Sequence, residues 1–270
     1  MSVLTTSKIN QLLQSGHKGG LFFSKWLNEQ GYSPQLISRY RSSNWLSALA
    51  RGVVYRAGEE LFAFGALSSY NQQLGKHLRI AAHSALELWG VNHYVPMGKP
   101  LLMVTCNKEA VPQWTRLNVF DREFKPFSTD VFVSPQSTTI HFRDWQLLVS
   151  TPEQAFMECL LLAPLHYNYL DLYYIMEQLT TLRPEMVLTL LHTTKNYRVK
   201  RLFLYMAEKA GRRAPFLVIA SGDIKVIRQR MIDTMTITAI IFLIILMSVN
   251  INLQYQGNFM NMNKTNIHHP

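Results

Sequence analysis

The stretch that decides the fold is residues 21–56, LFFSKWLNEQGYSPQLISRYRSSNWLSALARGVVYR. Apolar side chains at helical spacing predict a helix over residues 22–30, and Gly31 ends it because glycine enters the left-handed region without a Cβ clash. Ser33 then caps a second helix, with Pro34 at its first position, that runs to about Ser42. The β-rich stretch that follows predicts a tight hairpin. Two helices joined at a glycine and followed by a hairpin predict a winged helix-turn-helix.

The second of these helices has the two faces that a DNA-reading helix needs. Apolar residues would seat it on the domain, and polar residues with short side chains or guanidinium groups would face outward. Arginine suits guanine edges and phosphates because its planar fork donates two bonds, and a helix start can hold a phosphate. The predicted DNA contacts are Ser33, Gln35, Ser38, Arg39, Arg41 and Ser42 on this helix, with Arg51 at the hairpin tip. The alternative is a small helical bundle with an ordinary solvated face.

The charge of the chain also favours a polyanionic partner. The formal charge is +10 over 270 residues. Residues 1–60 hold seven Lys/Arg against three Asp/Glu, and residues 195–230 hold ten against two, with a slightly acidic body between them. Basic surfaces attract polyanions, and counterion release makes nucleic acid a common partner. A merely soluble surface is the alternative.

The remainder of the chain predicts a second, mixed domain. After a helix over 61–75, strands are expected near 77–80, 101–106, 117–120, 129–133, 138–142 and 146–149, with a short helix at 84–88. Four helices then follow from Ser150 onward. The fold class is therefore α+β, with an N-terminal winged helix-turn-helix followed by a mixed α/β C-terminal domain. The expected bounds are 1–70, 71–234 and a divergent tail over 235–270.

Several motifs resemble those of one bacterial family, the AbiEi antitoxins of AbiE-type abortive-infection systems. Within residues 26–59 the run from Trp26-Leu27 to Arg51-Gly52-Val53-Val54-Tyr55-Arg56-Ala57-Gly58-Glu59 is similar to that family's N-terminal domain. Later blocks are similar as well, namely Ala85-Leu86-Glu87-Leu88-Trp89-Gly90 with His93-Tyr94, Ser150-Thr151-Pro152-Glu153-Gln154-Ala155, Leu179-Thr180-Thr181-Leu182-Arg183-Pro184 and Val199-Lys200-Arg201-Leu202-Phe203-Leu204-Tyr205. The likeness runs from about residue 8 to 216.

This resemblance implies a function that the residues alone do not give. It implies a winged helix that binds double-stranded promoter DNA and represses its own operon. It also implies a C-terminal domain that counteracts a cognate nucleotidyltransferase-like toxin in a type IV toxin–antitoxin system, in which the two proteins need not form a stable complex. The alternatives are a DNA-binding regulator without antitoxin activity and a degenerate nuclease-like protein.

The resemblance also gives the second basic region a role. The candidate antitoxin surface is Lys195, Arg198, Lys200 and Arg201 around the start of the last family helix, with Arg212 and Arg213 beyond its end. Arg198 and Arg201 are three residues apart and can share a helix face. The functional interpretation is a surface for toxin neutralisation or a second DNA contact. The alternative is that these residues solvate a helix whose other side is core.

The end of the chain departs from the family pattern. Residues 235–249 read MTITAIIFLIILMSV, and no charged residue occurs from Thr234 to Asn263. This apolar run is shorter than the ~20 residues that span a bilayer. Three interpretations remain open: a C-terminal membrane anchor, a frame-shifted end of the gene, or a buried part of the domain.

Other classes of function find little support. The nine histidines stand without the spacing and supporting ligands of a metal site, and the only cysteines, Cys106 and Cys159, form no C-x-x-C motif. We expect no metal and no cofactor. Phosphate-binding and serine-hydrolase motifs are missing, and the four carboxylates of a nuclease alternative, Asp121, Glu123, Asp130 and Asp144, are scattered. A non-enzymatic, cytoplasmic protein without a membrane partner is expected.

Overall fold

The computed structural model describes residues 8–91, 98–106 and 110–211. These residues fall within one compact unit, Met1–Arg213. Several sequence-based predictions lie outside the described residues: the end of the second domain at 234, the tail over 235–270 with its three interpretations, and the roles of Arg212 and Arg213. In the part of the chain that is described, no helix is both long and apolar enough to cross a bilayer.

The N-terminal elements have the order of a winged helix. They are α1 (Lys8–Ser15), β1 (Phe22–Phe23), α2 (Ser24–Glu29), α3 (Pro34–Ser42), β2 (Leu46–Ala50) and β3 (Val53–Arg56). The three strands form an antiparallel sheet in the order β1-β3-β2. The helix-turn-helix is therefore formed by α2 and α3, and the β2–β3 hairpin is the wing.

One sequence-based boundary is wrong. Phe22 and Phe23 were predicted to begin the first helix, but they form β1, paired with Val54 and Val53. Because successive side chains of a strand point to opposite faces, the two phenylalanines do not share one helical stripe. Both are nevertheless buried. The helix begins only at Ser24.

The core of the winged helix holds its helices and strands together. The buried members of this cluster, drawn from α1, α3, the sheet and the residues around α2, are Leu12, Phe22, Leu27, Tyr32, Ile37, Leu46 and Val54. Leu36 and Tyr40 pack against the cluster from α3 while remaining partly exposed. Because α3 contributes only this narrow apolar stripe, its remaining side chains are left to face solvent.

The second part of the described chain is built on a five-stranded mixed sheet. Its elements are α4 (Ala63–Leu74), β4 (Arg79–Ile80), α5 (Ala82–Leu88), β5 (Leu101–Thr105), a 3-10 helix (Gln113–Arg116), β6 (Glu123–Phe127), β7 (Ser137–Phe142), β8 (Trp145–Ser150), α6 (Pro152–Leu162), α7 (Tyr169–Gln178), α8 (Pro184–Thr193) and α9 (Tyr197–Lys209). The strand order is β6-β5-β4-β8-β7, with β4–β8 and β5–β6 parallel and the other pairs antiparallel.

Two predicted strands in this region are wrong, and one strand was missed. Residues 117–120 form no strand, although Phe120 makes a single bridge to Leu61, and residues 129–133 are irregular. The missed strand is β6, whose sequence EFKPF contains Pro126. Proline cannot donate to a sheet ladder, but β6 lies at the edge of its sheet, where one side of the strand needs no partner.

Helix α4 joins the winged helix to the second sheet. The side-chain amide of Gln73 accepts a hydrogen bond from Phe23 N at 3.0 Å and donates to Leu21 O at 2.8 Å. Ser69 Oγ accepts from Leu21 N at 3.1 Å. These side chains satisfy the outer edge of β1 as a neighbouring strand would. On the same helix, Gly65 lies so close to Gly19 that a Cβ would stand 2.8 Å from its carbonyl oxygen.

A buried ionic cluster fixes the centre of the part built on the five-stranded sheet. The carboxylate of Glu158 on α6 is fully buried and accepts from Arg79 Nη2 at 2.8 Å and Gln154 Nε2 at 3.0 Å. Its other oxygen accepts from Ala82 N and Ser150 Oγ, both at 2.9 Å. One side chain thus connects β4, α5, β8 and α6. Buried charges persist only when they are paired and hydrogen-bonded in this way.

Candidate nucleic-acid interface

Helix α3 forms as the sequence predicts, from local rules. The hydroxyl of Ser33 accepts from Leu36 N at 3.3 Å, and Pro34 occupies the first helical position. Gly31 precedes the cap with a φ of +81°, in the left-handed region that glycine tolerates. Ile37, 7 % exposed, seats the helix on the core. The predicted bounds of this helix are confirmed.

The outward face of α3 is polar and free. All the side chains assigned to it are exposed, namely Gln35, Ser38, Arg39, Arg41 and Ser42, and so is the cap residue Ser33. The hydroxyl of Ser42 donates to Arg39 O at 2.9 Å. The guanidinium groups of Arg39 and Arg41 form no hydrogen bond or ion pair with the residues that the structure describes. Two arginines on one short helix, each without an ion-pair partner among the described residues, suit an anionic ligand.

The wing turns where the sequence predicts it. The hairpin reverses at Arg51-Gly52, and Gly52 has a φ of +75°, which a two-residue turn requires. Arg51 is exposed at the tip. The carbonyl of Gly52 accepts from Ser24 N at 2.9 Å, so the tip is attached to the first residue of α2.

Two other cations of the winged helix serve the fold. The guanidinium of Arg56 donates to the carbonyls of Leu13 and Gly16 and lies 3.5 Å from a carboxylate oxygen of Glu59. Lys8 Nζ lies 3.4 Å from Gly31 O. The fold therefore uses Lys8 and Arg56 internally, whereas the arginines of α3 and the wing stay available.

The predicted antitoxin residues are less uniform. Arg198 donates from both terminal nitrogens to the carbonyls of Ala163, at 2.5 Å, and Leu161, at 2.7 Å, so it stabilises the C-terminal end of α6. Lys200 Nζ lies 5.3 Å from the centre of the Tyr197 ring. The structure brings these residues to the first turns of α9, but it does not test their role in neutralisation.

The remaining members of that set differ in exposure. Lys195 precedes α9 and is exposed, whereas Lys200 and Arg201 on α9 are both half-buried. With the guanidinium of Arg198 committed to backbone carbonyls, the cations that can meet a partner from this set are Lys195, Lys200 and part of Arg201.

Sequence reasoning missed two exposed residues beside the DNA-binding elements. Lys25 lies on the first turn of α2, next to the wing, and was hidden by the misplaced start of that helix. Trp45 lies between α3 and β2 and is 49 % exposed, a large fraction for an indole. A correct boundary for α2 would have drawn attention to Lys25.

The carboxylates proposed for a nuclease do not form a metal-binding cluster among the described residues. Asp121 Oδ1 accepts from Ala63 N at 2.7 Å and so caps α4, and Glu123 pairs with Lys125 at 2.7 Å. Among the residues that the structure describes, no group of three or more His, Cys, Asp or Glu side chains could hold a metal ion. Both carboxylates have structural partners, and neither points to metal-dependent chemistry.

Comparison with known families agrees with the arrangement of these elements. Residues 5–97 match the family described as transcriptional regulator, AbiEi antitoxin N-terminal domain. Residues 99–214 match the transcriptional regulator and AbiEi antitoxin of the type IV toxin–antitoxin system. The chain belongs to the AbiEi antitoxin family. No individual curated protein matches it.

Family membership confirms the resemblance seen in the motifs and the predicted fold class. The AbiEi winged helix corresponds to the first match, which also contains α4 and α5. The two matches meet near residue 98, whereas the sequence predicted a boundary at 70, and that boundary stays a prediction. The family to which the chain belongs is described as one of transcriptional regulators and antitoxins of type IV systems.

Proposed function

We propose that this AbiEi protein represses its own operon by placing α3 in the major groove of promoter DNA, with the wing against the flanking backbone. The observation that carries the proposal is the division of α3 into a seated side at Ile37 and an exposed polar side that holds Gln35, Ser38, Arg39 and Ser42. Arg41, one turn beyond Ile37, is also exposed, near the C-terminal end of the helix. A helix in the major groove reads base edges with side chains of this kind. We further propose that the protein is not an enzyme.

The test is an anisotropy titration of the full chain against the DNA upstream of its own gene, with an unrelated duplex as competitor. Arg39→Ala and Arg41→Ala should each weaken operator binding by about 1–3 kcal/mol for a true base contact, and should reduce the preference over unrelated DNA. Lys209→Ala is a matched control, since it removes one exposed cation from α9, which packs on α6 and α7.

Equal affinity of wild type and both arginine variants would show that α3 does not read the operator. Binding without any preference for the operator would contradict the repressor proposal. Magnesium-dependent cleavage of the DNA by pure protein would overturn the non-enzymatic assignment and favour the nuclease alternative.

We also propose that the second domain counteracts a nucleotidyltransferase-like toxin, using the partly exposed cations at the start of α9. The support is the family membership together with the position of Lys200 and Arg201 on that helix. The test is growth of cells that express the cognate toxin together with each antitoxin variant. Lys200→Ala with Arg201→Ala should lose protection while operator binding is retained.

Arg198→Ala is the control for a loss of protection caused by a less stable fold, because it removes two hydrogen bonds to the end of α6. It should lower thermal stability, whereas Lys200→Ala should not. Full protection by the Lys200 and Arg201 variant would leave this protein a regulator whose antitoxin activity, if present, resides elsewhere on its surface.

A further inference from the structure

A second cation lies beside the tip of the wing. Ser24 N, at the start of α2, donates to Gly52 O at 2.9 Å. Lys25 directly follows Ser24, and Arg51 directly precedes Gly52. Lys25 and Arg51 are therefore each next in sequence to a residue of the same backbone hydrogen bond, although they are 26 residues apart in the sequence.

The backbone under these two residues is fixed. Phe22 and Phe23 pair with Val54 and Val53 of the wing immediately before α2, and Ser24 then bonds to Gly52 in the turn of the wing. Trp26 follows Lys25 and packs against the core, with its ring stacked on Phe22 at 6.4 Å. The attachment point of Lys25 is thus held from both sides, while its side chain is exposed.

Neither cation is ion-paired within the part of the chain that the structure describes. Lys25 and Arg51 form no hydrogen bond or ion pair with other described residues. Among the carboxylates nearest to them, Glu59 pairs with Arg56, and Glu29, one helical turn from Lys25 on α2, forms no ion pair with it. Two exposed like charges on rigid neighbouring positions attract an anion from solution.

The chemistry of the pair favours a phosphate over a base edge. Lysine is a flexible point charge that lacks the planar fork with which arginine reads guanine. Contacts to the sugar–phosphate backbone orient a protein on the duplex, while base contacts specify sequence. A lysine on α2 and an arginine on the wing flank α3, where the bases would be read.

We propose that Lys25 and Arg51 bind the phosphate backbone of duplex DNA at the base of the wing and so set the orientation of α3 in the groove. This proposal rests on the proposed DNA-binding function. It assigns to Lys25 a contact that is indifferent to sequence, in contrast to the base contacts of Arg39 and Arg41.

The experiment measures the salt dependence of binding by the full chain, from 50 to 200 mM salt, on operator and unrelated duplexes of equal length. Lys25→Ala and Arg51→Ala should each make the slope of log affinity against log salt less steep by about 0.9. The advantage of wild type over each variant should then shrink by about 3.5-fold across this range. Both duplexes should be affected equally.

Two variants control this measurement. Lys25→Arg keeps the charge and should keep the slope, and Lys209→Ala removes an equal charge from α9 and should also keep it. Thermal melts of Lys25→Ala should match wild type, because the exposed lysine contacts no described residue through a polar bond.

The outcomes separate this inference from the proposed function. A wild-type slope in Lys25→Ala, or a loss confined to the operator, would overturn the phosphate contact and leave the repressor proposal intact. If the variants show a reduced slope on both duplexes and the wild type shows no preference for the operator, the phosphate contact is sustained and promoter recognition is overturned. A wild-type protein that binds neither duplex would overturn both.

Discussion

Replacing Glu158 by glutamine should strongly destabilise the second domain. In the folded protein the carboxylate neutralises Arg79, whose side chain is also buried, and accepts hydrogen bonds from four donors. Glutamine keeps the shape of the side chain but removes the charge and turns an NH₂ group toward two of these donors. The guanidinium is then a buried, unpaired charge.

The magnitude follows from the burial of both partners. Removing one member of a buried ion pair costs about 3–5 kcal/mol, because the remaining charge stays out of water. For a domain of this size, each kcal/mol lowers Tm by roughly 2–4 °C, so a fall of roughly 6–20 °C is expected. Urea unfolding of the full chain, followed by tryptophan fluorescence and circular dichroism, measures the free energy directly and tests whether the transition is two-state.

Two comparisons make the result interpretable. The double variant Arg79→Met with Glu158→Leu should be less destabilised than the sum of the single variants, because it leaves no unpaired charge. Glu123→Gln breaks the ion pair with Lys125, in which both side chains are about half-exposed, and should change stability by no more than about 1 kcal/mol. A loss below about 1 kcal/mol in Glu158→Gln, or strict additivity in the double variant, would refute the buried pair.

Three further predictions concern the packing around this domain. Burial alone would raise the pKa of Glu153, but hydrogen bonds from the side chain and backbone of Arg183 outweigh it and hold the pKa below its ordinary value of 4.5. Wild-type stability should therefore fall as pH drops through 4.5 toward the folded pKa, and Arg183→Ala, which leaves a buried carboxylate, should differ from wild type most at pH 7 and least at pH 3 in urea unfolding. Gly65→Ala should cost about 1–3 kcal/mol in the same assay despite the better helix propensity of alanine, because a Cβ would stand 2.8 Å from the carbonyl oxygen facing α4; a gain in stability would contradict this close approach. Gln73→Ala should speed hydrogen exchange of the β1 amides much more than that of the amides in β8, and uniform exchange across both sheets would show that the glutamine does not hold this edge.

The sequence predicts α3 and the wing well because the rules that form them are local. A serine cap, a proline at the first turn and glycines at Gly31 and Gly52 act within a few residues of the structures they start or end. The same is true of the exposed arginines, since the periodicity that seats Ile37 in the core also determines which side chains face outward.

The elements that were missed depend on distant partners. Phe22 and Phe23 fit a helical stripe, and only their pairing with β3, about thirty residues later, makes them a strand. The pairing of Arg79 with Glu158 joins residues 79 positions apart, which no spacing rule could connect. Arg198 reads as a surface cation in the sequence, yet its guanidinium binds the carbonyls of Leu161 and Ala163 on another helix.

The amide of Gln73 bears on how the protein can be divided. It occupies the place of a fourth strand beside β1, so a fragment that ends at residue 70 would lack it and expose Phe23 N and Leu21 O along an open sheet edge. Open edges recruit strands from other molecules, and such a fragment should self-associate. A fragment cut after Gly75, where α4 ends, would keep this edge cover and should self-associate less than the shorter fragment. Because Gln73 lies on α4, a displacement of α4 would also break its hydrogen bonds to β1, the strand that leads directly into the helix-turn-helix.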